Sequence, residues 1–405
     1  MIHFLGVEGV RGSVMSKSSA GTGTMLRNLA ILPALLVAGF TAQAISATSA
    51  PAQNKARGAA TRPAQAPAAQ RPVQRPAARS VPQTAAQREL AQRIQELARG
   101  FDGEVGIAVR DVETGWTTSW NGTRHFPQQS VSKFWVAINA LQAADAGQID
   151  MSEQVTLRRT DLTLFHQPIA QQIDADGYTT TLDSLLFRAM TQSDNTANDF
   201  LLRRGGGPDS VRAMLRRHGI EGVRFGPGER IMQSQIAGLQ WSPAYSTGRA
   251  FYTARASVPL ERRRELFNQY VADPIDGATP EGLVDGLSRL RRGELLSPRS
   301  TDRLLSIMSQ TRTGPQRLTG GLATGWSIAH KTGTGQVLGS TQTGYNDIGI
   351  ITSPDGRHYA LAVMIGRTST PLPTRMALMQ NVTRAAIAFH GSQRSNESLA
   401  TRSTR

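Results

Sequence analysis

Strand-like patterns lie near both ends of the foldable part of this chain, with mainly helical patterns between them, so one sheet must be assembled from segments far apart in sequence. Residues 104–111 and 116–120 read as strands around the turn Glu113-Thr114-Gly115. Residues 327–333, 345–352 and 359–366 read as three more, the last two joined by Pro354-Asp355-Gly356. Helical spacing covers residues 89–98 and 376–389, and most of the chain from Val131 to about Leu322. The pattern predicts an α+β domain: an antiparallel sheet built from both chain ends, terminal helices flanking it, and a helical lobe over about residues 130–322 inserted between. A cleft is expected where lobe and sheet meet. No internal repeat is visible.

Charge first suggests a polyanionic partner, because 405 residues carry 45 Lys+Arg against 30 Asp+Glu, a formal net charge of +15. Its distribution argues otherwise. Residues 1–88 hold ten basic residues and one acidic, and residues 391–405 hold three and one, so the middle is only mildly basic. Nucleic acid is therefore not the expected partner. The apolar content of 39% allows an ordinary core. With no cysteine, disulfides, thiolate-bound zinc, iron–sulfur clusters and a cysteine nucleophile are all excluded, leaving Ser, Thr, Lys or a carboxylate. The basic residues are almost all Arg; the only lysines are Lys17, Lys55, Lys133 and Lys331, two of them in the middle region.

The flanks read as targeting and tether. Met25-Leu26-Arg27-Asn28 precedes an apolar run at 29–40 and the small-residue site Ala42-Gln43-Ala44, the pattern of a secretory signal peptide. The run is short for a membrane span, so a periplasmic or secreted product with no stable span after signal removal is expected. Residues 1–44 are assigned to this signal and an upstream extension, and residues 45–86, rich in Ala, Pro, Gln and Arg, to a disordered linker. A single domain at 87–392 and a flexible tail at 393–405 complete the division.

Three short motifs carry chemistry. Ser130 and Lys133 fall three apart at the start of the apolar segment Phe134-Trp135-Val136-Ala137-Ile138, which puts them on one helical face. A serine hydroxyl needs a base within reach, and a lysine of lowered pKa can serve where an arginine cannot. Ser193-Asp194-Asn195 interrupts a helical pattern; alone it reads as a helix cap, and in a cleft it offers a hydroxyl and an amide. His330-Lys331-Thr332-Gly333-Thr334-Gly335 closes a strand with a cation, hydroxyls and glycines that would let a ligand approach the backbone.

In this order the motifs resemble the serine β-lactamase and penicillin-binding protein superfamily, with its Ser-x-x-Lys, Ser-Asp-Asn and Lys-Thr-Gly signature. The resemblance runs from about Arg88 to His390 and looks most like class A β-lactamases. It implies Ser130 as nucleophile, Lys133 or a water-linked Glu229 as its base, and backbone N–H of Ser130 and Thr334 as oxyanion donors. Ser193 would relay a proton to the leaving nitrogen, and Asn195 would orient Lys133 and the substrate. Lys331, Thr332 and Arg317 would bind the substrate carboxylate. Gly228-Glu229-Arg230-Ile231-Met232-Gln233 resembles the family's deacylation segment, with Glu229 as general base and Gln233 helping to hold the water. It departs from the family in Gln233 for Asn, Arg230 for Pro and Pro227 where an arginine often anchors the loop. His166 takes the place of an aromatic gatekeeper at the cleft mouth.

The implied function is hydrolysis of penicillin- or cephalosporin-type lactams through an acyl-enzyme, conferring resistance, by a monomer with no metal or organic cofactor. The rival readings are a D-alanyl-D-alanine carboxypeptidase, which lacks the deacylation carboxylate, and a penicillin-recognising sensor module. Thr334 and Arg317 hint at bulky or carbapenem substrates. Between Glu229 and Asp276-Gly277-Ala278-Thr279-Pro280 the chain carries several dozen extra residues, and residues 241–273 have the aromatics and Arg-rich helical run of an ordered insertion. That insertion either buttresses the Glu229 loop or alters access to the cleft.

Overall fold

In the computed structural model, which describes residues 82–403, the strand patterns become one six-stranded antiparallel sheet. Its main strands are β1 (Glu104–Asp111), β2 (Thr117–Trp120), β3 (Ser327–Thr334), β4 (Thr341–Thr352) and β5 (His358–Thr368), in the order β2-β1-β5-β4-β3. A short strand, Val337–Leu338, pairs with β4. The two ends of the chain meet where β1 pairs with β5, with Ile107 opposite Val363 and Ala108 opposite Ala362.

The two faces of this sheet pack against different cores. Val105, Ile107 and Val109 of β1 share a core with Tyr359, Leu361, Val363 and Ile365 of β5, beneath the terminal helices α1 (Ala85–Arg99) and α11 (Leu372–Ser403). The alternate residues, Ala108, Ala360, Ala362 and Met364, belong to the core of the helical lobe. That lobe contains α2 (Lys133–Asp145), α3 (Leu182–Thr191), α4 (Asn195–Arg204), α5 (Gly207–Arg217) and α6 (Glu229–Ile236). It continues with α7 (Ala250–Ser257), α8 (Leu260–Ala272), α9 (Pro280–Arg291) and α10 (Pro298–Ser309). Helix α2 is apolar all round and buried from Lys133 to Leu141, as its sequence requires of a central helix. The indole of Trp135 lies over Gly286 of α9, where a Cβ would fall within 3.0 Å of the ring atom Cζ3.

Several boundaries differ from expectation for identifiable reasons. Helix α1 starts at Ala85, inside the stretch assigned to the linker, because Thr84 and Gln87 form a capping box there. Strand β4 begins at Thr341, earlier than the periodicity indicates, because Gly344, at φ +62°, breaks the pattern within it. Two short ribbons, Gln154–Leu157 with Tyr178–Thr181 and Phe126–Pro127 with Gly277–Ala278, are too brief to show a period. The closing helix runs on to Ser403, into the stretch expected as a tail at 393–405. The signal sequence and most of the expected linker, residues 1–81, lie outside the described residues.

Candidate active site

Ser130 sits in a 3-10 turn, Gln129–Ser132, that feeds directly into α2. Gln129 before it has φ +53°, a left-handed conformation costly for a residue with a Cβ. Two of the three other non-glycine residues of positive φ, Phe165 and Ser193, line the cleft described below. Lys133, one turn on, donates from Nζ to Ser130 Oγ at 2.6 Å, Asn195 Oδ1 at 2.8 Å and Glu229 Oε1 at 2.6 Å. Both ends of the Lys133–Glu229 ion pair are shut from solvent, at 0% and 3% exposure. These three acceptors account for all the protons of an ammonium group.

The segment between α3 and α4 is both a cap and a set of site groups. Asp194 is the cap: its carboxylate accepts from Ala197 N at 2.9 Å and from Ile169 N at 2.7 Å, which leaves its neighbours free. Asn195 donates to Leu164 O at 2.8 Å, so its Oδ1 faces Lys133. Ser193 accepts from Lys331 Nζ at 2.9 Å. Lys331 is fully buried; desolvation, and next the charge of Lys133, hold its ammonium well below the usual lysine range.

Strand β3 closes the other side. Thr332 Oγ1 shares a hydrogen bond with Thr313 Oγ1 at 2.6 Å. A Cβ on Gly333 would fall inside the van der Waals shell of Gln128 O and 3.2 Å from Val131 N, so this glycine seats the strand against the serine turn. That differs from the expected role of admitting a ligand to the backbone. Arg317 reaches the cleft but is mostly engaged: Nη1 donates to Gly333 O at 3.0 Å and Asn346 O at 2.6 Å, and Nη2 to Thr334 Oγ1 at 2.6 Å. Its guanidinium stacks 3.8 Å from the Tyr345 ring centroid, and Nε has no partner. His166 is exposed at the mouth, its Nε2 donating to Gln192 O at 2.8 Å.

Glu229 opens helix α6, so it is not a loop residue. The departures from the expected loop sequence are compensated locally. Asp199, four residues after Asn195 on α4, accepts from the backbone N–H of Glu229 at 3.1 Å and of Arg230 at 3.3 Å. Burial, and next the charge of Glu229, raise the Asp199 carboxyl. Arg230, in place of proline, lies over Trp241 of the insertion at 5.5 Å. Gln233 donates to Glu229 Oε2 at 3.2 Å and to Gln129 Oε1 at 2.8 Å, and accepts from Gln336 at 3.0 Å. In place of an anchoring arginine, Asp276 accepts from Gln129 N at 2.8 Å and from the hydroxyl of Tyr270 on α8 at 2.9 Å. Gln129 Nε2 donates back to that hydroxyl at 2.6 Å. The insertion thus does two things. Tyr270 buttresses the Glu229 wall, and Phe251 of α7 packs edge-on at 5.1 Å against Phe165, which lines the cleft.

All the expected site residues except the buried lysines, Lys133 and Lys331, line one cleft of about 430 Å³, and those two stand directly behind it. Sequence reasoning missed Gln129, Asp199, Tyr270, Gln336 and Arg255. Asp199 alone was open to inference, from its i,i+4 spacing to Asn195. Among the described residues, no cluster of His, Asp and Glu could hold a metal ion, and no helix is long and apolar enough to cross a membrane.

The fold coincides with that of known proteins. The model of the beta-lactamase enzyme family matches residues 89–389, and the chain belongs to that family. Its similarities are to serine enzymes of class A. The extended-spectrum β-lactamase PER-1 of Pseudomonas aeruginosa is 27% identical over 74% of this chain and 87% of its own. A β-lactamase structure from Chitinophaga pinensis superposes with a TM-score of 0.60 at 29% identity, over 73% of this chain and 97% of that one. An ancestral class A β-lactamase gives 0.58 at 28%, over 74% and 99%. The chain is a serine β-lactamase, and the peptidase reading is not favoured.

Proposed function

We propose that Ser130 is the nucleophile and that Lys133, with Glu229 behind it, forms its proton acceptor. The observation that carries this reading is the dry three-way contact of Lys133 with Ser130, Asn195 and Glu229. An ammonium with all its protons donated cannot act as a base. Withdrawal of one proton by Glu229 frees a lone pair for the proton of Ser130. Ser130 Oγ then bonds to the lactam carbonyl carbon, and the oxygen charge develops toward the N–H groups of Ser130 and Thr334. As the C–N bond breaks, the proton taken from Ser130 returns to the ring nitrogen through Ser193, which Lys331 polarises. The substrate carboxylate lies against Lys331, Thr332, Thr334 and Arg317, and Asn195 and His166 border its side chain. Glu229 hands its proton back to Lys133 and then takes one from water, with Gln233 fixing its carboxylate; the hydroxide adds to the acyl carbonyl, and that proton passes to Ser130 Oγ as the acyl–oxygen bond breaks.

The product acts as a monomer outside the cytoplasm, in the periplasm or secreted, and its activity confers β-lactam resistance. The pattern of residues 25–44 and a cleft built from this chain alone support that reading. Two variants test the mechanism. S130A should lower nitrocefin turnover by more than about 10⁴-fold. E229Q loses the base of deacylation and leaves Lys133 without its proton acceptor, so it should acylate more slowly and then stall, giving a covalent adduct on Ser130 visible by intact-protein mass spectrometry. Sustained turnover by either variant contradicts the assignment.

A further inference from the structure

Helix α7 of the insertion brings into the cleft a cation that the mechanism leaves unused. Arg255 lines the same cavity as Ser130, Glu229, Gln233 and Gln336. Two aromatic rings hold its guanidinium from below, Phe251 at 5.9 Å and Tyr252 at 5.6 Å from their centroids. Phe251 is itself buried and locked edge-on against Phe165 and Tyr245, so the base under Arg255 is rigid. Nη1 makes one long hydrogen bond, 3.4 Å, to the Gln336 amide oxygen.

Three nearby arginines face carboxylates, and Arg255 does not. Arg262 and Arg264 of α8 pair with Glu265 and Glu261, and Arg230 faces Asp199. Among the described residues Arg255 makes no ion pair, its polar partner being the neutral Gln336. The one carboxylate of the cleft, Glu229, is already paired with Lys133. A half-buried guanidinium with open N–H groups, fixed on aromatic faces, matches the planar geometry of a carboxylate.

Its position says which part of a substrate it meets. The cations assigned to the ring carboxylate, Lys331 and Arg317, belong to β3 and the segment before it. Arg255 enters from the insertion and connects through Gln336 to Gln233, on the Glu229 side. We propose that a lactam whose ring carboxylate is held at β3 turns its acylamino side chain to that side, and that Arg255 is a specificity residue that binds a carboxylate carried on it. This rests on the lactamase reading and adds a preference to it.

Benzylpenicillin and carbenicillin, which differ by one side-chain carboxylate, make the test. The ratio of kcat/KM for carbenicillin to that for benzylpenicillin should fall about tenfold in R255Q and be largely retained in R255K. In the wild type the ratio should also fall as KCl is raised from about 0.05 M to about 0.5 M, because salt screens a partly exposed ion pair, and in R255Q it should not. Equal losses on both penicillins, or a ratio indifferent to salt in the wild type, would overturn the proposal and leave Arg255 a packing residue. If the wild type hydrolyses neither penicillin, the lactamase reading itself fails, an outcome distinct from a flat ratio.

Discussion

The two walls of the cleft are built on different principles. On the sheet side, β3 is pressed against the serine turn by backbone contact, with Gly333 against Gln128 O and Val131 N, and Asn346 Nδ2 donates to Pro127 O at 2.7 Å. On the Glu229 side, α6 is held by a chain of buried side-chain hydrogen bonds through Gln233, Gln129, Tyr270 and Asp276. A steric fit leaves no room for a Cβ, whereas a polar chain can lose one link and still close. The first wall should therefore fail as a whole, and the second one step at a time.

Gly333→Ala probes the steric wall and should have the largest effect of the three changes considered. The new Cβ meets backbone atoms, which cannot rotate away, so β3 must move off the serine turn and carry Lys331 and Thr334 with it. A displacement on the order of 1 Å costs about 10²-fold in rate. Burst and steady-state phases with nitrocefin should both fall by about that factor. A variant impaired in deacylation alone would show that the two walls are not mechanically distinct.

The same contrast explains what was legible in the sequence. The sheet wall and the nucleophile depend on residues in short runs, Ser130 with Lys133 and Lys331 through Gly335, and a short run is visible as a motif. The scarcity of lysine sharpened it, since the two lysines of the described fold, Lys133 and Lys331, stand behind the cleft. Fold class was legible for a related reason: β1 and β5 are short, nearly continuous apolar runs bounded by turn residues, visible without knowledge of the partner strand. The polar wall was not legible. Apart from Gln233, its members Gln129, Tyr270 and Asp276 come from three separate segments, and each alone is an ordinary polar residue. Their roles come from the insertion folding back, which no local pattern encodes. The insertion was expected to be ordered; Tyr270 supports the Glu229 wall, and Phe251 packs behind Phe165, which lines the cleft.

Tyr270→Phe removes one link of the polar wall while keeping the ring. It strips Asp276 Oδ1 of its donor and Gln129 Nε2 of its acceptor inside the protein, at about 1–3 kcal/mol for groups left unpaired. Gln129 then loses its fixed orientation, and with it Gln233 and the carboxylate of Glu229. Deacylation should slow about tenfold, with the acylation burst nearly unchanged and acyl-enzyme accumulating by mass spectrometry. Equal slowing of both phases would mean that Tyr270 only supports the fold.

Asp276→Asn tests the charge at the far end of that chain and should have the smallest effect, seen in stability and its pH dependence. Burial raises the Asp276 carboxyl from its ordinary 3.8 to about 6, while the donors Tyr270 and Gln129 act in the opposite direction. The folded protein thus keeps a proton, between about pH 4 and pH 6, that the unfolded chain has released. The contribution of Asp276 to stability is therefore fully present below that window, falls as pH rises through it and is constant above. Asparagine has no such proton, yet its Oδ1 still accepts from Gln129 N. Compared by thermal unfolding, the wild type should gain on D276N as pH is lowered from about 7 to about 5, opposite to the trend of an aspartate held charged in an ion pair. A wild type that loses ground over that range would show that the two donors outweigh desolvation, making the polar wall as electrostatically fixed as the sheet wall is sterically fixed.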